Sequence, residues 1–377
     1  MRLAFALYKY FPYGGLARDF LRVAKFCLAK GHSVDVYVMD WQGDIPNGFN
    51  VHIVKAEGWT NHARVTNFHR QIGETLANNV FDVTVGFNKI PSVDVYYAAD
   101  PCYIDRFVDK TWLAKLNPRY RVYAAAEKAV FGLDSKTICL MISEPQTALF
   151  KKHYQISDER LVMLPPGIDP NRRRPEGADE KRMQYRQQLK LENNDLMLLM
   201  LGSAFKTKGV DRAIDALASL PEILLEKTQL MIVGEGDIKA YQRYAKDKGV
   251  TDHCHFMGGR SDVPDFLLAA DLLLHPARKE NTGTVILEAM ISGLPQLVTG
   301  VCGYAKHVRQ ADSGRVIEEP FQQQQLNRVL LEMLTGHERQ HWAGNALNYA
   351  QHEDLYSMPE KVVDVIEQVG KGQLDET

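Results

Sequence analysis

The sequence predicts an α/β protein with two Rossmann-like domains, each built on a parallel sheet. Short apolar runs such as LAFALY, SVDVYVM and FDVTVGFN alternate with amphipathic stretches, the first of which is LARDFLRVAKFCLAKG. This alternation is typical of βαβ units, in which helices cover a sheet of parallel strands. A second series of the same kind runs from LMLLMLG to QLVTG. The chain of 377 residues is long enough for both domains.

The segment LPPGIDPNRRRPEG separates the two series. Its four prolines, two glycines and three consecutive arginines are typical of a domain linker. We therefore predict a first domain over residues 1–166 and a second over residues 167–354. The amphipathic stretch near the end of the chain predicts a helix over residues 355–370 that completes the first domain. Open parallel sheets bind ligands at the carboxyl ends of their strands, so we expect a ligand cleft between the domains.

The charge balance restricts the possible partners. The chain has 45 Lys and Arg against 47 Asp and Glu, which excludes nucleic-acid binding through bulk positive charge. Residues 1–166 hold 20 basic and 16 acidic residues, a balance of +4, and the remainder holds 25 and 31, a balance of −6. The first domain is therefore the one suited to an anionic partner.

Cysteine usage and hydropathy indicate the compartment. Five cysteines without any C-x-x-C spacing favour reduced thiols over a disulfide framework or a zinc site. No apolar stretch approaches the roughly 20 residues that span a bilayer. The sequence therefore predicts a soluble protein, at most peripheral to a membrane.

Two strand-to-helix turns carry residue types that bind phosphate. Gly14 and Gly15 follow the first strand, and a helix N-terminus after glycines lets an anion approach free N–H groups. A tight turn without a ligand fits equally well. At the matching turn of the second domain, GSAFKTKG supplies Lys206 and Lys208, which suit a diphosphate unless they are simply solvated. Neither turn has a dinucleotide-binding or P-loop pattern, which argues against a nicotinamide-dependent dehydrogenase and a P-loop hydrolase.

Glu280 and Glu288 form a third candidate feature. In one continuous helix their carboxyl groups would lie about two turns apart, too far for a close catalytic pair. Thr282, Gly283 and Thr284 instead predict a loop leading into a helix, with Glu280 on the loop and Glu288 in the helix. Each carboxylate could then accept hydrogen bonds from the hydroxyl groups of a different sugar of one ligand. Two unrelated glutamates remain the alternative on spacing alone.

These residues carry a family resemblance. The E-x7-E pair, the flanking DLLLHPA and EAMISGLP, the Gly14-Gly15 turn and the Lys208-Gly209 turn resemble retaining GT-B glycosyltransferases. Within that family, LYKYFPYGGLARDF, VGFNKIPSVDVYYAADPCY, LPPGI, KGVDRAIDALASLP, VCGYA and DLYSMPEK resemble the bacterial lipopolysaccharide inner-core glucosyltransferases. The resemblance runs along nearly the whole chain.

The resemblance implies transfer of a hexose, with glucose favoured, from a UDP-sugar to an inner-core heptose of lipopolysaccharide. A UDP-N-acetylhexosamine donor and a UDP-sugar epimerase of the same architecture remain open. A carbohydrate-binding protein without activity would not explain a lysine placed for a diphosphate beside paired glutamates.

The resemblance also implies roles for residues of the second domain. Glu280 is expected to contact hydroxyls of the donor sugar, and Glu288 to hold the ribose. Lys208, with Lys206 nearby, is expected to neutralise the diphosphate. Backbone groups near Arg260 are expected to form hydrogen bonds with the uracil.

The remaining implied positions lie in the first domain and in the E-x7-E loop. Gly14 and Gly15, with Asp19, are expected to face the transferred sugar and its phosphate. Asp100 stands in the region where many relatives carry a sugar-contacting histidine, so it is the fourth catalytic candidate beside Asp19, Lys208 and Glu280. Thr282, Gly283 and Thr284 are assigned to the donor-binding loop, where the Asn281-Thr282 pair could influence the choice of donor.

The sequence has no Asp-x-Asp, so a divalent ion has no evident carboxylate site. We therefore expect no metal and no cofactor besides the UDP-sugar, with leaving-group charge stabilised by Lys208 and helix N-termini. Retention of configuration is implied by the resemblance alone. A front-face displacement, in which a UDP oxygen helps to deprotonate the acceptor, is the preferred mechanism.

Residues 103–131 combine cationic and aromatic side chains. Six basic residues against three acidic ones give a local balance of +3, interleaved with Trp112, Tyr120 and Tyr123. Such a segment suits an anionic membrane surface, although a solvated helix whose aromatic residues pack on its own domain is the alternative. Because the implied acceptor is linked to lipid A, we expect a cytoplasmic enzyme that binds peripherally to the inner membrane, without a nucleic-acid partner.

Overall fold

Two parallel sheets organise residues 1–12, 14–192 and 194–373, which are the residues that the computed structural model describes. The chain divides into two compact units. The first unit comprises Met1–Gly167 and the chain from Tyr356 onward, and the second comprises Ile168–Leu355.

Within Met1–Gly167, the elements are β1 (Arg2–Tyr10), α1 (Gly15–Ala29), β2 (Ser33–Trp41), β3 (Phe49–Ile53), α2 (Asn61–Asn78), β4 (Val83–Gly86), β5 (Val95–Ala98), α3 (Trp112–Lys115), α4 (Pro118–Phe131), β6 (Ile138–Met141), α5 (Glu144–Tyr154) and β7 (Leu161–Met163).

The elements of the second unit are α6 (Ala178–Gln188), β8 (Leu196–Leu201), α7 (Phe205–Lys208), α8 (Val210–Ala218), α9 (Glu222–Leu225), β9 (Thr228–Val233), α10 (Ile238–Asp247), β10 (Cys254–Gly258), α11 (Val263–Ala269), β11 (Leu272–His275), α12 (Thr284–Ile291), β12 (Gln296–Thr299), α13 (Ala305–Ala311), β13 (Gly314–Ile317), α14 (Gln323–Thr335) and α15 (Arg339–His352). The last helix, α16 (Met358–Gly370), belongs to the first unit. Short 3-10 helices cover Ile104–Phe107, Asp158–Arg160, Pro170–Arg172 and Thr251–His253.

The sheet of the first unit has the strand order β3-β2-β1-β4-β5-β6-β7, with each neighbouring pair parallel. Strands β4, β5 and β6 are buried along their whole length because both faces of the sheet are covered there. Leu3, Phe5 and Leu7 of β1 point into the core under α1, and Ala4 and Ala6 point into the core on the opposite face.

Helix α16 joins the first of these cores. Its residues Met358, Val362 and Ile366 lie in the same apolar cluster as Phe20 and Val23 of α1. The amphipathic pattern near the end of the chain therefore corresponds to a helix whose apolar face is buried within the first unit.

The sheet of the second unit has the strand order β10-β9-β8-β11-β12-β13 and is also parallel throughout. Leu198 and Met200 of β8 pack with Ala213, Ile214 and Leu217 of α8. The predicted α/β class with two parallel sheets is confirmed.

The strand order reverses once in each sheet, between β1 and β4 in the first unit and between β8 and β11 in the second. In open α/β sheets, ligands bind outside the carboxyl ends of the strands at this point, where the loops diverge. Gly14 and Gly15 follow β1, and Lys208 follows β8. None of the described helices is both long and apolar enough to cross a bilayer.

Candidate active site

The turn over residues 202–209, here called the lysine turn, follows β8 in the second unit. Gly202 has a φ of +125°, and a Cβ at that position would lie 2.9 Å from Cε of Lys208, so the lysine stem runs across the glycine. Ala204 has a φ of +61°, in the left-handed region that non-glycine residues rarely occupy. Such local strain often marks a functional turn.

The loop that carries Glu280 lies between β11 and α12, beside the lysine turn. Gly209 has a φ of +75°, and a Cβ there would collide with the carbonyl oxygen of Pro276. The N–H of Arg278 donates to the carbonyl of Thr207 at 2.8 Å. The close backbone approach that Gly209 permits therefore joins the lysine turn to the glutamate loop.

Side chains from neighbouring elements hold this loop further. Arg212 of α8 donates to the carbonyl oxygens of Pro276 at 3.2 Å and Ala277 at 3.1 Å. The hydroxyl of Thr299, at the end of β12, donates to the carbonyl of Ala277 at 2.8 Å. The loop therefore has a fixed path where it leaves β11.

Lys208 and Glu280 form a direct ion pair at the centre of this site. Nζ of Lys208 pairs with Oε2 of Glu280, and Nε2 of His275 lies 3.4 Å from the same oxygen. The side chains of Lys208 and Glu280 are 20% and 15% exposed, while that of His275 is fully buried. One carboxylate oxygen therefore faces a cation and an imidazole at once.

The electrostatics fix the charge of Glu280. Burial by itself would raise the pKa of Glu280, but the nearby imidazole of His275 and the charge of Lys208 outweigh burial and lower the pKa to about 2. Burial lowers the pKa of His275 below its usual value. Near neutral pH the site therefore holds an ionised carboxylate, an ammonium group and a neutral imidazole, an arrangement that can receive an anion and a hydroxyl donor side by side.

The predicted loop-to-helix path of the E-x7-E segment is confirmed. Gly283, with a φ of +85°, precedes α12, and Thr284 is the first residue of that helix. The carbonyl of Thr282 accepts from the N–H of Tyr304 at 2.8 Å. Glu280 lies on the loop, and Glu288 lies within α12, where it is 8% exposed.

Two other predicted residues lie outside this ion pair. Lys206 is exposed on α7. The guanidinium of Arg260 pairs with Asp262 at 2.9 and 2.6 Å, and Asp262 also accepts from the hydroxyl of Tyr185 at 2.7 Å. The side chain of Arg260 is thus engaged locally, and the contact of its loop backbone with a base stays a prediction.

In the first unit, Gly14 and Gly15 form the start of α1. Gly14 caps the helix through its backbone, and a Cβ on Gly15 would meet open space. Asp19, one turn further, pairs with Arg22 at 2.5 Å and accepts from the hydroxyl of Tyr97 at 2.8 Å. Burial raises the pKa of Asp19, whereas the charge of Arg22 and the hydrogen bond from Tyr97 act against that change. The free helix N-terminus and the held carboxylate are thus adjacent.

Asp100 follows β5 in the same unit. Its Oδ2 accepts from Nδ2 of Asn88 at 3.3 Å, and Oδ1 of Asn88 accepts from the N–H of Tyr8 at 2.8 Å. The hydroxyl of Tyr8 lies 2.8 Å from Nε2 of His69, whose pKa is lowered to about 4 by burial. Asp100 is therefore part of a polar network across the ends of β1, β4 and β5.

Sequence reasoning identified Lys208 and Glu280 but missed their partner His275. The available signal was a histidine at the end of the apolar run DLLL, five residues before Glu280. Among residues 1–12, 14–192 and 194–373, no group of three or more His, Cys, Asp or Glu could hold a metal ion. Metal independence stays a prediction.

Comparison with known proteins identifies the family. Residues 181–348 match the family described as Glycosyl transferases group 1. The chain is 47% identical over 368 residues to the lipopolysaccharide glucosyltransferase WaaG of Escherichia coli K12, covering 97% of this chain and 98% of that protein.

Solved structures give the same result for the fold. The crystal structure of WaaG, a glycosyltransferase involved in lipopolysaccharide biosynthesis, matches with a TM-score of 0.91 at 47% identity, over 97% of this chain and 99% of that one. HepE of Anabaena, in complex with UDP and glucose, shares the fold, with a TM-score of 0.74 at 18% identity over 98% of this chain and 100% of that one. The chain therefore belongs to the group 1 family of glycosyltransferases and has the GT-B fold.

Proposed function

We propose that this enzyme acts in lipopolysaccharide core biosynthesis and transfers glucose from UDP-glucose to an inner-core heptose, with retention of configuration and without a metal ion. The similarity to WaaG along 97% of the chain supports the acceptor class and the sugar. The contact between Lys208 and Glu280 is the observation that carries the proposal. A diphosphate needs a cation and a sugar needs hydroxyl acceptors, and in a UDP-sugar these two groups are adjacent.

Each member of the pair then has a separate task. As the bond between the sugar and the diphosphate breaks, negative charge grows on the leaving phosphate, and Lys208 stabilises it. Glu280 stays ionised and accepts hydrogen bonds from hydroxyls of the donor sugar, which orients the anomeric carbon. Glu288, at the second position of the E-x7-E pair, holds the ribose.

The state of Glu280 supports a front-face displacement. A carboxylate with a pKa of about 2, engaged by Lys208, is a weak nucleophile. We infer that the bond from the anomeric carbon to the phosphate oxygen breaks while the bond to the acceptor oxygen forms on the same face. The acceptor hydroxyl proton passes to the departing phosphate oxygen, so that UDP leaves and the configuration is retained.

Donor identity is tested by competition. The enzyme is incubated with truncated lipopolysaccharide and equal amounts of UDP-glucose, UDP-galactose and their N-acetylated forms. The proposal requires glucose to be the sugar transferred in excess. Preferential transfer of an N-acetylhexosamine would replace glucose as the donor sugar and leave the rest of the mechanism intact.

We expect transfer to continue in EDTA at the same rate as in magnesium. Lys208 supplies the positive charge that a divalent ion provides in other sugar-nucleotide transferases. Initial rates are measured in EDTA, and again after addition of excess magnesium or manganese. Activity that is lost in EDTA and restored by a divalent ion would contradict metal independence.

The membrane surface is the second part of the proposal, and residues 103–131 support it. Trp112, Leu113 and Leu116, on and beside α3, are 69%, 59% and 57% exposed. Lys110 and Lys115 lie next to them in the chain and are exposed. Exposed apolar side chains beside lysines suit the interface of an anionic bilayer, because the lysines approach the headgroups while the apolar groups enter them.

The tyrosines of the same segment have a different environment. Tyr103 lies 6.0 Å from Tyr120 and 5.4 Å from Tyr123 between ring centroids, and Phe107 lies 4.7 Å from Tyr120. These rings are half-buried against one another. We therefore assign membrane insertion to Trp112 rather than to the tyrosines.

Neutralising Lys110, Lys115, Arg119 and Arg121 together is expected to weaken binding to phosphatidylglycerol vesicles by at least about tenfold at low salt. Each basic residue near an anionic surface contributes about 1 kcal/mol, and 1.4 kcal/mol is a factor of ten. Because exposed charges are screened over about 10 Å at 0.1 M salt, added salt should weaken the wild type in the same way. The affinity for UDP should not change. Vesicle co-sedimentation measures the first effect and calorimetry the second.

A matched control removes four exposed basic residues from the second unit: Lys227, Lys239, Arg243 and Lys246. This control changes the net charge equally and should keep most of the vesicle binding. Equal sedimentation of the wild type and the fourfold variant of residues 110–121 would show that this segment does not bind the membrane.

A further inference from the structure

His275 is the last residue of β11 and is fully buried. Its Nε2 lies 3.4 Å from Oε2 of Glu280, the oxygen that also pairs with Lys208. Among the described residues, neither Nδ1 nor Nε2 of His275 has a partner that meets both the distance and the angle of a hydrogen bond. The imidazole therefore approaches the carboxylate of Glu280 through Nε2 without completing a well-aligned hydrogen bond.

The surroundings determine where the imidazole carries its proton. Burial lowers the pKa of His275, and although Glu280 acts to raise it, the net effect is a neutral ring near neutral pH. With the proton on Nε2, the N–H group lies beside the carboxylate of Glu280, whose negative charge attracts it. With the proton on Nδ1, a buried donor would lack a partner and a lone pair would face a negative charge, and both features are unfavourable.

A second group beside Glu280 matters because, in the proposed function, Lys208 also binds the diphosphate. When a diphosphate binds, the ammonium group must share its attraction between phosphate and carboxylate. The lysine stem is flexible, whereas His275 is fixed by its place at the end of a central strand. A neutral donor on a rigid element holds the carboxylate in place whatever Lys208 contacts.

We propose that His275 is a positioning residue: its neutral imidazole donates from Nε2 to Oε2 of Glu280 and orients Oε1 toward the hydroxyls of the donor sugar. The approach to Glu280 rests on the 3.4 Å distance between Nε2 and Oε2, and the effect on the sugar rests on the proposed function. His275 does not touch the reacting atoms, since it acts through Glu280.

The kinetic test compares two substitutions at this position. His275→Phe fills similar space without a donor, and we expect kcat to fall by roughly ten- to a hundredfold, as for a group displaced by a fraction of an ångström to about 1 Å. His275→Gln places an N–H donor at similar reach and should recover most of kcat. Both variants should bind UDP within about twofold of the wild type, because UDP lacks the sugar that Glu280 contacts.

A control separates this effect from the loss of any histidine in the sheet. His255 of β10 is half-buried and lies 2.7 Å from Oε1 of Gln229. His255→Phe should keep the kcat of the wild type. Thermal unfolding of each variant establishes that it is folded. Wild-type kcat in folded His275→Phe, or equal losses in the Phe and Gln variants, would overturn the proposal.

A spectroscopic test does not depend on activity or on the stability of His275→Phe. In protein labelled with nitrogen-15 histidine, the resonance of His275 is identified by its absence from His275→Gln. We expect the neutral Nε2–H tautomer near neutral pH, with a shift of Nε2 in Glu280→Gln. The Nδ1–H tautomer, or no response to Glu280→Gln, would overturn the contact. Failure of the wild type to transfer glucose would instead refute the proposed function, and the tautomer would still decide the contact.

Discussion

Glu280→Gln is expected to lower kcat by roughly a hundredfold while UDP binds as tightly as to the wild type, or more tightly. The amide keeps the size of the side chain but removes the charge that Lys208 and His275 hold in place, so the donor sugar loses a charged hydrogen-bond acceptor. A misplacement of about 1 Å at a reacting centre costs about that factor. UDP affinity moves the other way because the carboxylate no longer competes with the diphosphate for Lys208.

Steady-state kinetics and calorimetry with UDP measure these two effects on the same preparation. Glu226→Gln, an exposed glutamate beside α9, removes an equal charge from the same unit and should change neither quantity. Because the pKa of Glu280 is about 2, its carboxylate is ionised throughout the usual assay range, and the difference should persist at every pH tested. A clear loss of UDP affinity with unchanged kcat would contradict the assignment of Glu280 to the sugar.

Lys208→Ala is expected to weaken UDP binding by roughly 10- to 150-fold. A hydrogen bond to a charged group contributes about 1.5–3 kcal/mol, and each 1.4 kcal/mol is a factor of ten. The value of kcat should fall as well, because the same ammonium group stabilises the leaving phosphate. Removal of the lysine also leaves Glu280 without its cation, so its pKa should rise.

Lys246→Ala is the matched control, since this exposed lysine on α10 has no place in the site. Calorimetry with UDP should find it unchanged. The two site variants therefore differ in their effect on UDP affinity, which falls in Lys208→Ala and is kept or increased in Glu280→Gln. Unchanged UDP affinity in Lys208→Ala would place the diphosphate elsewhere.

Much of the fold could be predicted from the sequence because hydrophobic periodicity reports burial directly. Strand β8 is apolar along its whole length, and β1 is apolar from Leu3 to Leu7, because both faces of a parallel sheet are covered. The helix that begins near Gly15 follows from its amphipathic pattern. Four-residue helices such as α7 and α9 leave too few residues for a period to be recognised.

The site was only partly predictable because its residues are distant in the sequence. Lys208 and Glu280 meet across 72 positions, since β11 pairs with β8 rather than with β10, its predecessor in the chain. Their residue types and turns indicated a ligand for each, but not the ion pair. His275 resembles any residue at the end of a buried strand until that pairing is known. The sequence identifies Gly209 only as a turn glycine. The structure shows that the carbonyl oxygen of Pro276 leaves no room for a side chain at this position.

The transfer of glucose to lipopolysaccharide that we propose for this chain is tested with a labelled donor. The enzyme is incubated with UDP-glucose labelled in the sugar, EDTA and lipopolysaccharide truncated to its inner-core heptose residues, and the linkage of the product is determined by NMR. We expect label in the lipopolysaccharide as an α-linked glucose on heptose, formed only when that acceptor is present. Label that remains in a nucleotide sugar or appears as free glucose, with none in the lipopolysaccharide, would contradict it.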